Sequence, residues 1–218
     1  SVDALVVGAH PDDAEGGAGG LLLALRAKGK RIGIAIVSGG GGGARGTSAE
    51  RLDEARKAAE ILGANAFEVL GQTDTDIQAG RERAEKLEAL LVAWRPRLII
   101  THSPLDWNPD HRATWDLVDV AWALANRQGR HGDAYLPKPA ILQFSFDLLR
   151  SERPALMVDI SPWFEQKQRA LAAHKSQGTI AEKMLQLNLF WGGLIGTQAA
   201  EAFYSPEPIM LTSELCIL

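Results

Sequence analysis

Short apolar runs alternating with segments of helical period constrain this chain of 218 residues more than any other feature. The runs 4–8, 32–38, 66–70, 98–101, 141–146 and 155–160 are nearly continuous in apolar residues, the pattern of strands covered on both faces. Between them lie helical stripes such as Leu52, Ala55, Ala59 and Leu62, then Ala84, Leu87, Leu91 and Trp94. Thr47 and Glu50 have capping-box spacing at the start of the first of these helices. A further helix is expected just after His111, with Leu117, Ala121 and Leu124 facing inward. Helical segments at 163–174 and 180–190 are expected to precede a last short strand at 209–212. Such alternation predicts an α/β fold: a Rossmann-like, mainly parallel sheet sandwiched by helices. The length suits a single domain over 1–218.

In an open parallel sheet, ligands bind beyond the carboxyl ends of the strands. His10, Ser38, Asp74, His102 and His111 all fall at expected strand ends, so one rim should gather them. The sharpest cluster is Ala9-His10-Pro11-Asp12-Asp13-Ala14-Glu15, directly behind the first run. One imidazole and two adjacent carboxylates in such a turn are costly to fold around unless a cation collects them. A divalent metal is the simplest candidate, and nitrogen with oxygen is a ligand set suited to zinc. The spacing of His10 and Asp13 puts both on one side of a turn, and Asn108-Pro109-Asp110-His111 could supply a second imidazole. The competing reading makes the aspartates helix caps and His111 a surface imidazole.

Together these segments resemble the LmbE-like (PIG-L) deacetylases, zinc hydrolases that remove acyl groups from N-acetylglucosamine-type amides, including those of bacillithiol and mycothiol biosynthesis. The likeness is carried by Ala9 to Asp13 and by Asn108 to His111, where Asn108 replaces the family's first histidine. Gly46-Thr47, Arg51, Glu54-Ala55, Leu70-Gly71, Asp74 and Ser176-Gln177 support it. The resemblance implies an LmbE-like fold, one zinc per chain (other divalent metals being possible) and the ligands His10, Asp13 and His111. It also implies Asp12 as general base toward a metal-activated water, acting on a linear amide rather than a peptide bond. Asn108 could donate a hydrogen bond to an oxyanion but cannot deliver a proton, so Asp12 or His102 would have to protonate the leaving amine. His102 could equally be satisfied locally. Arg51 implies a contact with the sugar, against an exposed helix arginine as the alternative. Glu15 is either a buried carboxylate behind the ligands or a helix-start acid. Asp110 either orients a neighbour or caps its helix. Asp74 sits where the family has Pro-Asp-Gly-Gly, and Trp107 could stack on a sugar or pack. The glycine run 39–43 lacks a phosphate-loop lysine and reads as a loop bordering the site.

Composition narrows the partners. A net charge of −4 gives no electrostatic reason to expect nucleic acid or an anionic membrane, and no apolar run approaches the ~20 residues of a bilayer span. One cysteine, Cys216, fits a reducing compartment. The first residues lead straight into a strand with no visible signal peptide, so the expectation is a cytoplasmic protein acting on a small-molecule amino sugar. The resemblance implies a homo-oligomer. Alternatives are another metal-dependent amidase, a hydratase on the same rim, or a weakly active metal-binding protein if Asn108 removes proton delivery.

Overall fold

The computed structural model describes residues 1–42, 45–127, 130–131, 138–150 and 153–209. Five parallel strands form the main sheet: β1 (Ala4–Gly8), β2 (Ile32–Ser38), β3 (Ala66–Gln72), β4 (Leu98–His102) and β5 (Ala140–Phe144), in the order β3-β2-β1-β4-β5. The helices between them are α1 (Asp13–Ala27), α2 (Ser48–Leu62), α3 (Arg81–Trp94) and α4 (Pro109–Ala125). Two further helices, α5 (Phe164–Ala172) and α6 (Ile180–Ile195), follow β6 (Leu156–Asp159) and precede β7 (Ala200–Phe203). Among the described residues, no helix is long and apolar enough to cross a membrane.

Alternation along β1 explains the layers. Ala4 and Val6 enter a core with α1, α2 and α5, whereas Leu5 and Val7 enter a second core with α3 and α4. Every residue of β1, β2 and β4 is buried, which is why their sequences are apolar without a polar face. The stripes read from the sequence bury as expected at Ala55, Ala59 and Leu62, at Ala84, Leu87 and Leu91, and at Leu117, Ala121 and Leu124. Thr47 and Glu50 form the capping box. Helix α1 presses closest to its neighbours through its glycines. A Cβ at Gly17 would lie 2.4 Å from the Phe144 ring and one at Gly20 2.4 Å from Ile160, so no larger residue fits without a shift.

Several boundaries differ from the sequence reading. β4 runs one residue further, to His102, and α4 starts before His111, at Pro109, because Asn108 caps it. β6 is not part of the parallel sheet; it pairs antiparallel with β7. That last strand was not anticipated, because a four-residue stretch carrying Glu201 has no clear apolar signature. Of the expected strand 209–212, residue 209 is not in a strand and 210–212 lie outside the described residues, as does Cys216.

With β1 central and its neighbours β2 and β4 reached in opposite directions, the strand order reverses between β1 and β4. Ligands bind at such a switch point. The loops leaving these two strands carry the two polar clusters.

Candidate metal centre

The loop after β1 is held in a conformation that an ordinary residue avoids. Asp12 has φ 102°, in the left-handed region, at a cost of about 1–3 kcal/mol for such a non-glycine residue. It precedes α1, yet its side chain caps no backbone N–H, so capping does not explain it. Instead its carboxylate lines a cleft of about 1120 Å³. Asp13 closes the turn, its Oδ2 accepting the His10 N–H at 2.7 Å.

The loop after β4 is built from successive polar turns. Asp106 accepts the Asn108 N–H at 2.9 Å, and Asn108 Oδ1 accepts the Asp110 N–H at 2.9 Å, which starts α4 with Pro109 in its first turn. His111 is thereby presented toward β1. Its Nε2 lies 3.7 Å from Asp13 Oδ1, and its Nδ1 lies 3.2 Å from Asp106 Oδ2. His10 mirrors this arrangement: Nδ1 lies 3.6 Å from Asp13, and Nε2 lies 3.1 Å from both Asp74 and Asp110.

His10, Asp13 and His111 each offer a ligand atom, all within 4.8 Å of one another. Their donor set fits a divalent cation such as zinc. Each imidazole has one nitrogen near a carboxylate outside the triad and the other toward Asp13, an arrangement suited to a metal-binding histidine. Charge argues the same way. Asp12, Asp13, Glu15, Asp106 and Asp110 are all buried. Among the described residues, Arg51 is the one lysine or arginine whose side chain lies within 4.0 Å of any carboxylate in this cluster, Asp74 included.

The protonation states diverge accordingly. Burial, then the neighbouring charge of Asp13, pushes Asp12 up to about 8. Burial would also raise Asp13, but His102, His111 and His10 outweigh it and hold that carboxyl far below the usual range. Burial lowers His102 to about 4, helped by His111. For His111, burial acts downward but Asp13 and Asp106 prevail, so it is raised.

The remaining expected residues fall into place unequally. Arg51 is not an exposed helix arginine: it is 3% exposed, donates to the Gly40 and Pro11 carbonyls at 2.6 and 3.1 Å, and lies 3.8 Å from Asp12. Gly40 permits this, since a Cβ there would lie 2.3 Å from the guanidinium. Asp74 accepts the Gly42 N–H at 2.7 Å, tying the glycine loop to His10; Gly43 lies outside the described residues. Asp110 does not cap its helix, which Asn108 does; it accepts the Thr75 N–H at 2.8 Å while contacting His10. Trp107, 59% exposed, stands at the rim, and Asn108 lines the cleft. His102 is corrected. It is fully buried and does not line the cleft; its Nε2 lies 3.0 Å from Asp13 Oδ2. Glu15 is buried 3.4 Å from His174.

Two participants escaped the sequence reading. Asp106 could have been suspected from the Asp-x-Asn turn spacing before His111, whereas His174, buried beside Glu15, carries no local signal.

Known proteins share parts of this sequence and the fold. The family model described as PIG-L, GlcNAc-PI de-N-acetylase, matches residues 5–122. A diacetylchitobiose deacetylase of Thermococcus kodakarensis is 27% identical over 90% of this chain and 80% of its own. A 4-oxalmesaconate hydratase of Pseudomonas putida is 27% identical over 80% of this chain and 73% of its own. A conserved protein of Thermus thermophilus superposes with a TM-score of 0.88 at 31% identity, covering 98% of each chain.

Proposed function

The chain belongs to the PIG-L (GlcNAc-PI de-N-acetylase) family, and on that premise we propose that it is a metal-dependent deacetylase of N-acetylglucosamine-type amides. The observation that carries this reading is the convergence of His10, Asp13 and His111 beside Asp12 at the switch point of the sheet. A zinc ion held by those three residues would supply Lewis acidity to a water molecule and to the amide carbonyl.

Asp12 is the proton carrier in this reading. It lines the cleft next to the proposed ligand Asp13, where a carboxylate can accept a proton from a bound water and later return it. It takes a proton as the water oxygen bonds to the acyl carbon and returns it to the nitrogen as the C–N bond breaks. A free amine and acetate result. This removes the need for a second proton donor at position 108. Asn108 commits its Oδ1 to the Asp110 N–H, which leaves its amide N–H groups for the charge developing on the carbonyl oxygen. Arg51, tied to Pro11 and Gly40, holds the turn that aims Asp12 and presents its remaining N–H groups to the sugar. Asp74 faces the same side of the cleft.

The test is release of acetate and a primary amine from N-acetylglucosamine and its conjugates by zinc-loaded protein, with metal content measured in parallel. Protein that holds one equivalent of zinc through His10 but liberates no amine from a broad panel of N-acyl amino sugars would sink the assignment. Hydration chemistry would show as product without new amine.

A further inference from the structure

The two oxygens of Asp13 meet different partners. Its Oδ2 accepts the His10 N–H at 2.7 Å and lies 3.0 Å from His102 Nε2. Its Oδ1 lies 3.7 Å from Nε2 of His111, the second imidazole of the triad. The end of β1 makes room for this arrangement. A Cβ at Gly8 would lie 2.9 Å from the Asp13 Cβ, so a larger residue there would push the carboxylate out of place. Thr101 Oγ1 donates to the Val7 carbonyl at 2.9 Å, holding β1 and β4 together where His102 follows. His102 itself is fully buried, stacked on His111 with ring centroids 3.9 Å apart and edge-on to Phe144 at 4.6 Å.

A neutral imidazole carries one N–H, and two groups contend for His102 Nε2. The Ala9 N–H points at it from 3.1 Å as a donor, whereas the Asp13 carboxylate can only accept. Either tautomer strands one N–H. With the proton on Nδ1 it is that of the ring, since Nδ1 is buried with no hydrogen-bond partner among the described residues. With the proton on Nε2 it is that of Ala9. Asp13 separates the two cases. A lone pair on Nε2 would face a carboxylate oxygen at 3.0 Å, whereas an N–H there makes a charge-assisted bond, roughly twice as strong as a neutral one. The Nε2 proton wins.

Resting on the metal-dependent reading, we propose that His102 is a positioning residue. By donating from Nε2 to Asp13 Oδ2, it confines Asp13 to a single metal–oxygen bond through Oδ1. A carboxylate with both oxygens free can grip a cation through the pair. Here two N–H groups, from the His10 backbone and the His102 ring, hold Oδ2, and a second bond to the ion would have to displace them. The coordination position that a two-oxygen grip would fill stays open for water, as a catalytic zinc site requires.

The test uses the full chain loaded with zinc or cobalt(II). Nitrogen NMR of the zinc form should find the His102 proton on Nε2; a proton on Nδ1 overturns the proposal without any variant. His102→Phe keeps an aromatic ring against His111 but removes the donor. It should weaken zinc binding about 10–100-fold and shift the visible spectrum of the cobalt form toward a higher coordination number. His102→Gln retains an N–H donor and should recover most of both. A Phe variant with wild-type zinc affinity and an unaltered cobalt spectrum overturns the proposal. Equal losses in the Phe and Gln variants also overturn it, by assigning the effect to packing rather than to the donor. All these outcomes leave the metal-dependent reading standing. Wild-type protein that takes up no zinc through His10 and His111 removes both.

Discussion

Helix α1 touches two buried polar clusters, and they are neutralised in opposite ways. Along its middle, Lys167 Nζ donates to the Gly16 carbonyl at 2.8 Å and to Glu201 at 2.7 Å. Glu201 in turn accepts the Gly20 and Leu21 N–H groups at 2.7 and 2.8 Å. One cation meets one anion, both fully buried, and each charged atom has a partner. At its N-terminus the balance is broken. Asp12, Asp13, Glu15, Asp106 and Asp110 face histidines and a single arginine, and Asp12 is driven toward its neutral form. The first cluster is complete within the chain and serves the fold. The second accepts backbone strain and surplus negative charge, which a cation from outside would relieve.

This contrast is open to direct attack. The largest effect is expected from Asp12→Asn, which should lower amide hydrolysis by about 10²–10⁴-fold while zinc content stays at the wild-type level; loss of zinc along with activity would make Asp12 a ligand instead. Next, Lys167→Met strands Glu201 as an unpaired buried charge, so urea unfolding should report a loss of about 3–5 kcal/mol. Its metal affinity, measured by competition with a chelating dye, should stay within about threefold of wild type, because outer-ligand effects of about 10–100-fold belong to groups that contact the ligands. A larger drop would merge the two clusters into one functional unit. Asp106→Asn keeps the acceptor for Asn108 but removes the anion beside His111, and metal should bind about 10–100-fold more weakly.

The smallest effect is a pH dependence. Asp12, His111 and His174 all have pKa values raised in the folded chain, so the stability they contribute is lost as pH rises through those values. His102 acts oppositely: its lowered pKa costs stability as pH falls from 6.5 toward about 4. Of these four groups only the first three change above pH 6.5, all in the same direction, whereas Lys167, lowered by burial, works the other way. Metal-free protein should therefore melt a few degrees lower at pH 8 than at pH 6.5, and zinc should stabilise more at the higher pH. Calorimetry in chelator and in zinc checks both. A metal-free melting temperature that rises across this window would refute the frustrated-cluster account.

How far the sequence alone reaches differs by residue. His10, Asp13 and His111 were legible because each sits in a short motif at the end of an apolar run. Arg51 was ambiguous: its neighbours Glu50 and Asp53 suggest a solvated helix turn, and only the docking of α2 against the Pro11 and Gly40 carbonyls buries it. His102 misled for a similar reason, since the strand extends one residue past its apolar run and carries the imidazole inside. Lys167 and Glu201 gave no warning at all. A lone lysine in a helix and a lone glutamate in a four-residue strand look like surface residues until their elements pack against the same glycine-rich helix.

Local chemistry, written within a few positions, determined most of the elements, the mainly parallel character of the central sheet and the residue types able to hold a cation, because periodicity and turn preference act over short stretches of chain. Partnership was decided by tertiary structure. His102 and Asp13, 89 positions apart, come within 3.0 Å only because β1 and β4 lie side by side. Which carboxylates lose their water together, and which find a counter-charge, depends on desolvation and Coulomb interaction across that strand pair, and both act through space rather than along the chain.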